Sequence, residues 1–504
     1  MTAVNFRGPI DTSATTAARK QWLAAVFAPP KGSVVVRCEA TELYRLFVAL
    51  NDSYWWGVDL HQVTSTPGSY ALHQIACMYG ACPMVSVADG DGSITRSGSW
   101  SSSTSNANAY NDAYRHTSTT GDYVEYATPS NTVRVGLRAV HTSNAGICKV
   151  TVNGDATLAN LLPTAQDLVN QGVLASSALV ANGGSLSPTD RVLDQYRSTN
   201  NNVRFDTVTG IVDGLTAGSH TVRLTNTGYR NTSASDDRLY MSGFSYATVS
   251  TTVDTVGADL LPLEYLTPPY DCGSAFEFAH ETVPSSGSYT FLGNIHGYET
   301  QDSLTVYVDG QSRSMSAGDE ISGTTVDVVR VSHLRHPDYG SGSSNLADVT
   351  TVYRMSPSGL DVSWKATWLA SATVRSSYPA MQPLSSLTFT KASVANDDVT
   401  SDYSLTAHDG SFLIKKRSEA GYVWQPSGHW AALLLSRDRA NVAGWTKSSP
   451  DYWMVQDRNY SLVKQYVSRV AGSFTESVSN GTVWRGSVRH MVQWFADPDV
   501  VLAR

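Results

Sequence analysis

The sequence predicts a mainly β chain, with tandem antiparallel β-sandwich (jelly-roll-like) domains preceded by a small mixed region that contains one helix. Three observations carry this prediction. From about residue 83 apolar and polar residues alternate with a period of two, as in "GDYVEYAT" (121–128) and "NTVRVGLRAV" (131–140), the pattern of a half-buried strand. Asn153-Gly154 and Asp309-Gly310 each close an alternating run, the strongest short hairpin signal. Only 16% of the 504 residues are charged, while Ser and Thr make up about a fifth of the chain, as suits a surface of short polar side chains between many strands.

The elements follow in order. Residues 1–82 read as an attachment or oligomerisation region. Its helix spans 10–30: Asp11 to Ser13 offer N-cap oxygens, Trp22, Leu23, Val26 and Phe27 share a face, and Pro29-Pro30 end it. The exposed-looking rings Trp22, Phe27, Tyr54, Trp55 and Trp56 suggest a surface for further copies, with a homotrimer favoured. Residues 83–250 read as the first sandwich, with a more irregular stretch at 158–200 that holds one short helix. Residues 251–270, with Pro262, Pro268 and Pro269, read as a linker. Residues 271–504 read as a second sandwich, with a short terminal helix over 487–495.

Charge and composition exclude some functions. The net charge of -8, with 36 basic residues diluted among 44 acidic ones, lacks the clustered Lys and Arg that phosphate backbones require. No window approaches the ~18 apolar residues of a membrane-spanning helix. The sequence as given opens Met1-Thr2-Ala3-Val4-Asn5 with no basic-then-apolar leader, so no signal peptide is expected. The five cysteines are odd in number and form no CxxC pair, which points to free thiols.

The string "GSWSSSTSNANAYNDAYRHTSTTGDYVEYAT", followed by "KVTVNGD" and "AGSHTVRLTNTG", resembles the galactose-binding-like jelly-roll modules common in carbohydrate-binding modules and in bacteriophage tail and fibre proteins. The resemblance covers 85–250. It implies sugar binding by loops at the sandwich rim, where Trp100, Tyr110, Tyr114, His116 and Arg138 are of the right types: flat rings for the C–H face of a sugar and planar donors for its hydroxyls. The C-terminal region is faintly similar to sandwich domains of phage virion proteins and of some polysaccharide lyases, through "HGYE" (296–299), a "VDGQ" hairpin, His333 and His336, and "SSYPAMQP" (376–383). Together these imply a virion protein, made in a host cytoplasm and working outside cells, with host surface polysaccharide and other virion proteins as partners.

One polar constellation invites chemistry. If the strand after His296 and Glu299 pairs with the one ending at His333 and His336, imidazoles and a carboxylate would meet at one rim. His296, Glu299, His333 and His336 would then suit a divalent ion such as Zn²⁺; Ca²⁺ is the other candidate metal, at the paired acids Asp236-Asp237 and Asp397-Asp398. Alternatively His296 or His333 would abstract a proton and Tyr378 donate one in β-elimination, with Arg335 neutralising a uronate. Two function classes follow. The first is a tail fibre, tailspike-like or baseplate protein that recognises glycans. The second is a polysaccharide lyase or esterase carrying a carbohydrate-binding module.

Overall fold

The computed structural model describes residues 34–496 apart from short internal stretches, chiefly 65–71, 197–203, 268–278, 395–402 and 437–451. The helix expected over 10–30 lies outside the described residues, as do Trp22 and Phe27. The chain forms two compact units. Among the described residues the only α-helix is Ala165–Asn170, within the stretch expected to hold one; strands dominate the rest.

The unit built on Tyr79–Tyr265 is a sandwich. One layer orders Val192–Asp194, Ile147–Val152, Thr221–Tyr229, Tyr123–Ala127 and Ile94–Ser97, all antiparallel. The other pairs Arg204–Gly218 with Thr132–His141, Thr132–His141 with Gly243–Thr248, and Gly243–Thr248 with residues 85–88. Alternation decides the faces: Val124 and Tyr126, Val150 and Val152, and Val222 and Leu224 turn inward against Val135, Leu137, Ile211 and Phe244. Tyr126 stacks on Phe244 with centroids 4.8 Å apart. Asn153 and Gly154 take positive φ of 53° and 80°, and Asp309 and Gly310 of 50° and 78°, as the tight hairpin turns require. Tyr54 does not serve as a free surface ring: its hydroxyl donates to Asp213 Oδ2 at 2.7 Å, and Arg134 donates to Oδ1 at 2.7 Å while covering the ring.

The other unit contains a ten-stranded antiparallel sheet running from Gln311–Arg313 through Glu299–Val308, Val326–Arg335, Asn345–Ser356 and Gly359–Trp368 to Val483–Trp494 and Trp430–Ser436, then on to Tyr403–Ser404. A four-stranded sheet, Thr290–Leu292, Ala279–Pro284, Ala372–Tyr378 and Glu476–Val478, shares its core. Leu292, Val374 and Val478 pack with Leu334, Val349, Trp364, Trp368 and Trp484. Trp368 and Trp484 meet edge to face at 5.2 Å.

Three expectations are corrected. Residues 487–495 form no helix: 487–494 lie in the strand Val483–Trp494, which pairs with a neighbour on each side. A short apolar run fits either period, and two neighbouring strands decide it. Gly486 is part of that fit, since a Cβ there would come within 2.5 Å of the Trp364 ring. The stretch 251–270 is not only linker: Ala258–Tyr265 pairs with residues 79–85, and Pro262 is accommodated because the register shifts just after it. Trp55 and Trp56, taken as contact surface for other copies, are 8% and 0% exposed and serve as core. Cys38, Cys82 and Cys148 are buried free thiols; burial pushes Cys82 and Cys148 up to about 12, so neither is a nucleophile at neutral pH.

Candidate functional site

Four of the five rim residues expected to bind sugar fall into two small groups in the sandwich unit. The strand Tyr114–Thr117 lies between Ser101–Ser103 and Leu239–Met241, with Ser101 and Tyr240 flanking His116 in register. Period two puts Tyr114 and His116 on one face and Arg115 on the other. On the first face His116 stacks on Tyr240 at 5.1 Å, and Tyr114 leans on both, at 6.2 Å from His116 and 5.8 Å from Tyr240. The Tyr240 hydroxyl donates to Asn144 Oδ1 at 3.0 Å, which fixes the platform. On the opposite face Arg115 reaches the buried Asp89 carboxylate at 2.6 Å, and Arg96 shares that carboxylate. This ion cluster anchors the strand from behind.

His116 is held below the ordinary imidazole value, first by burial and then by the neighbouring Arg238, so the ring is neutral at neutral pH. Its Nδ1 is buried without a hydrogen-bond partner. An acceptor tolerates that better than an N–H does, which favours the proton on Nε2. The result is one partly exposed ring, Tyr114, packed on the buried Tyr240 beside an imidazole that can donate, with the exposed Ser101 and Ser102 alongside.

Arg138 and Trp100 take other roles than expected. Arg138 is 6% exposed; its guanidinium donates to Ser86 Oγ at 2.7 Å and lies 4.2 Å from the centre of the Tyr110 ring. It therefore supports Tyr110 from below rather than meeting a ligand. Trp100 packs partly buried against the sandwich core and donates from Nε1 to Ser97 O at 3.0 Å, which makes it a plug. Tyr240 is the residue that sequence reasoning missed. It stands in a short, wholly buried strand like any core tyrosine, and only the pairing with His116 gives it a role.

The histidine constellation does not assemble as expected. The assumed strand pairing is present, with Thr300 opposite His333, but alternation separates the side chains. Glu299 is 1% exposed and turns inward, where Arg330 lies 2.7 Å away and Ser332 Oγ donates at 2.6 Å. His333 turns to the outer face, its Nδ1 at 2.6 Å from Asp348 and its Nε2 at 2.6 Å from Asp302. His336 is buried; its Nε2 donates to Thr282 O at 3.1 Å and its Nδ1 accepts from Asp338 N at 3.0 Å. With these bonds in place, neither Glu299 nor His336 offers a free ligand atom. Among the described residues no group of three or more His, Cys, Asp or Glu side chains is placed to hold a metal.

His296 and Tyr378 both pack on Phe291: His296 stacks on it at 4.8 Å and Tyr378 lies near-parallel at 6.2 Å. Tyr378 stands in the four-stranded sheet and His333 in the ten-stranded one. Arg335 is bonded to Asn345 Oδ1 at 3.1 Å. Of the two bases expected for β-elimination, His333 is thus held on a different sheet from Tyr378 and is bonded at both ring nitrogens, whereas His296 and Tyr378 share the Phe291 ring.

No protein-family model and no curated protein matches the sequence. Among solved structures, the galactosidase domain of alpha-galactosidase-sucrose kinase, AgaSK, superposes with a TM-score of 0.28 at 9% identity, over 47% of this chain and 32% of that one. So loose a superposition carries no argument about fold or ligand. The class stands on the sheets themselves: an antiparallel β-sandwich protein. No helix among the described residues is long and apolar enough to cross a membrane.

Proposed function

We propose that this chain is a glycan-recognition protein of a virion, a tail fibre, tailspike-like or baseplate component that binds host surface polysaccharide through the Tyr114–His116 face. The single observation that carries the glycan reading is the packed set Tyr114, His116 and Tyr240, with its neutral imidazole and neighbouring serines. Sugars are recognised by such a combination of ring faces and neutral donors. The virion reading is supported by the resemblance of residues 85–250 to jelly-roll modules of phage fibres and by the hydroxyl-rich, weakly charged composition. A homotrimer belongs to the same proposal, since several weak contacts on one particle add up to firm adhesion. The test is retention of the full chain on a panel of purified bacterial surface polysaccharides, compared with Tyr114→Ala and His116→Ala.

A further inference from the structure

The Asp302 carboxylate does more than hold His333. It stands where the register of Glu299–Val308 against Val326–Arg335 shifts between Gln301 and Ser303, so it is the extra residue of a β-bulge. Bulges re-aim one side chain without breaking the sheet, and they recur beside functional sites. Here the bulge borders an open cleft of about 490 Å³, whose lining includes Tyr44, Gln301, Asp302, Leu304, Met315 and Ser316. The volume is within the range of small-ligand sites, about 300–1,000 Å³.

The walls are held in place. The turn at 316–319 is tied to the backbone of Cys38: Cys38 N donates to Asp319 O at 2.9 Å and Gly318 N to Cys38 O at 2.8 Å. His333 holds the Asp302 carboxylate from outside, with Asp348 on its other nitrogen. The lining contains no Lys or Arg, and Arg37, on the strand beside it, is paired with Glu320 at 2.6 Å. The cleft therefore presents a carboxylate acceptor (Asp302), a hydroxyl (Ser316), and a ring with two apolar side chains (Tyr44, Leu304, Met315).

We infer that this cleft is a binding site for a neutral sugar unit, whose hydroxyls bond to Asp302 and Ser316 while its C–H face lies against Tyr44. A carboxylated or phosphorylated sugar finds no cation there and meets the Asp302 charge. The site uses none of the residues of the Tyr114–His116 face, so its test is separable from that of the proposed function.

The experiment is saturation-transfer NMR on the full chain carrying Tyr114→Ala and His116→Ala, with galactose, glucose, mannose, N-acetylglucosamine and glucuronate as probes. At least one neutral sugar should show transfer and glucuronate none. Asp302→Asn should lower the neutral-sugar signal at least fivefold, whereas Lys365→Ala, exposed and outside the lining, should retain it. Ser316→Trp, on an exposed turn, should occlude the cleft and abolish the signal, which keeps the test valid even if Asp302→Asn is poorly folded. No transfer from any neutral sugar, equal transfer from glucuronate, or a signal indifferent to Ser316→Trp would overturn the inference.

Discussion

Glu299 and His333, nearly opposite each other on paired strands, face opposite sides of one sheet: Glu299 is buried against Arg330, and His333 lies on the outer face between two carboxylates. A metal site or an acid–base pair drawn from both would need one of them to cross the backbone. Their opposite surroundings should also separate their energetics.

Replacing Glu299 with Gln leaves the Arg330 charge buried without its partner, a change that typically costs about 3–5 kcal/mol. His333→Ala removes outer-face contacts to two exposed carboxylates, of a kind worth about 0–1 kcal/mol. Urea denaturation of the two variants should show that ordering. Equal losses would mean that Glu299 is not buried as described.

A pH dependence follows from His490, which is fully buried and held down to about 3 by desolvation. The ordinary imidazole value in the unfolded chain is about 6.5. Above it both states are neutral and the contribution to stability is complete. As the pH falls from there toward 3 the unfolded chain takes up a proton that the folded ring refuses, and stability declines by about 1.4 kcal/mol per pH unit. Urea midpoints at pH 7 and pH 5 should therefore differ by an increment of roughly 2 kcal/mol that is missing in His490→Gln. An unchanged increment in the variant would assign the loss to other groups.

Trp484 joins Trp368 and His280 in the core shared by the ten- and four-stranded sheets. Trp484→Ala should cost about 3–5 kcal/mol through lost contacts and the cavity left behind. Trp100→Ala removes a ring that is only partly buried at a sandwich edge and should cost less. Thermal melts of the two variants check the order.

Much of this architecture is legible in the sequence because alternation and turn chemistry are local. Val124 and Tyr126, Asn153-Gly154 and Asp309-Gly310 announce their strands and hairpins without knowledge of their partners. What escapes is set by neighbours in space. Residues 487–495 could follow either period until two strands flank them. Pro262 reads as a linker residue until the register shift makes room for it. The site divides in the same way. The ring and imidazole of Tyr114 and His116 are visible as residue types, but Tyr240 joins them only through strand pairing. Arg138 looks like a surface donor until Ser86 and Tyr110 are found to enclose it.

The most direct measurement of the central claim is adhesion to purified bacterial surface polysaccharides by the full chain and by Tyr114→Ala and His116→Ala, with the length of the polysaccharide followed in the same samples. The wild-type chain should be retained on at least one polysaccharide and leave its length unchanged. Each substitution should weaken retention about tenfold, the equivalent of ~1.4 kcal/mol, with the fold preserved. Retention unaffected by both substitutions, or depolymerisation of the polysaccharide that is lost in His296→Ala, would contradict the claim.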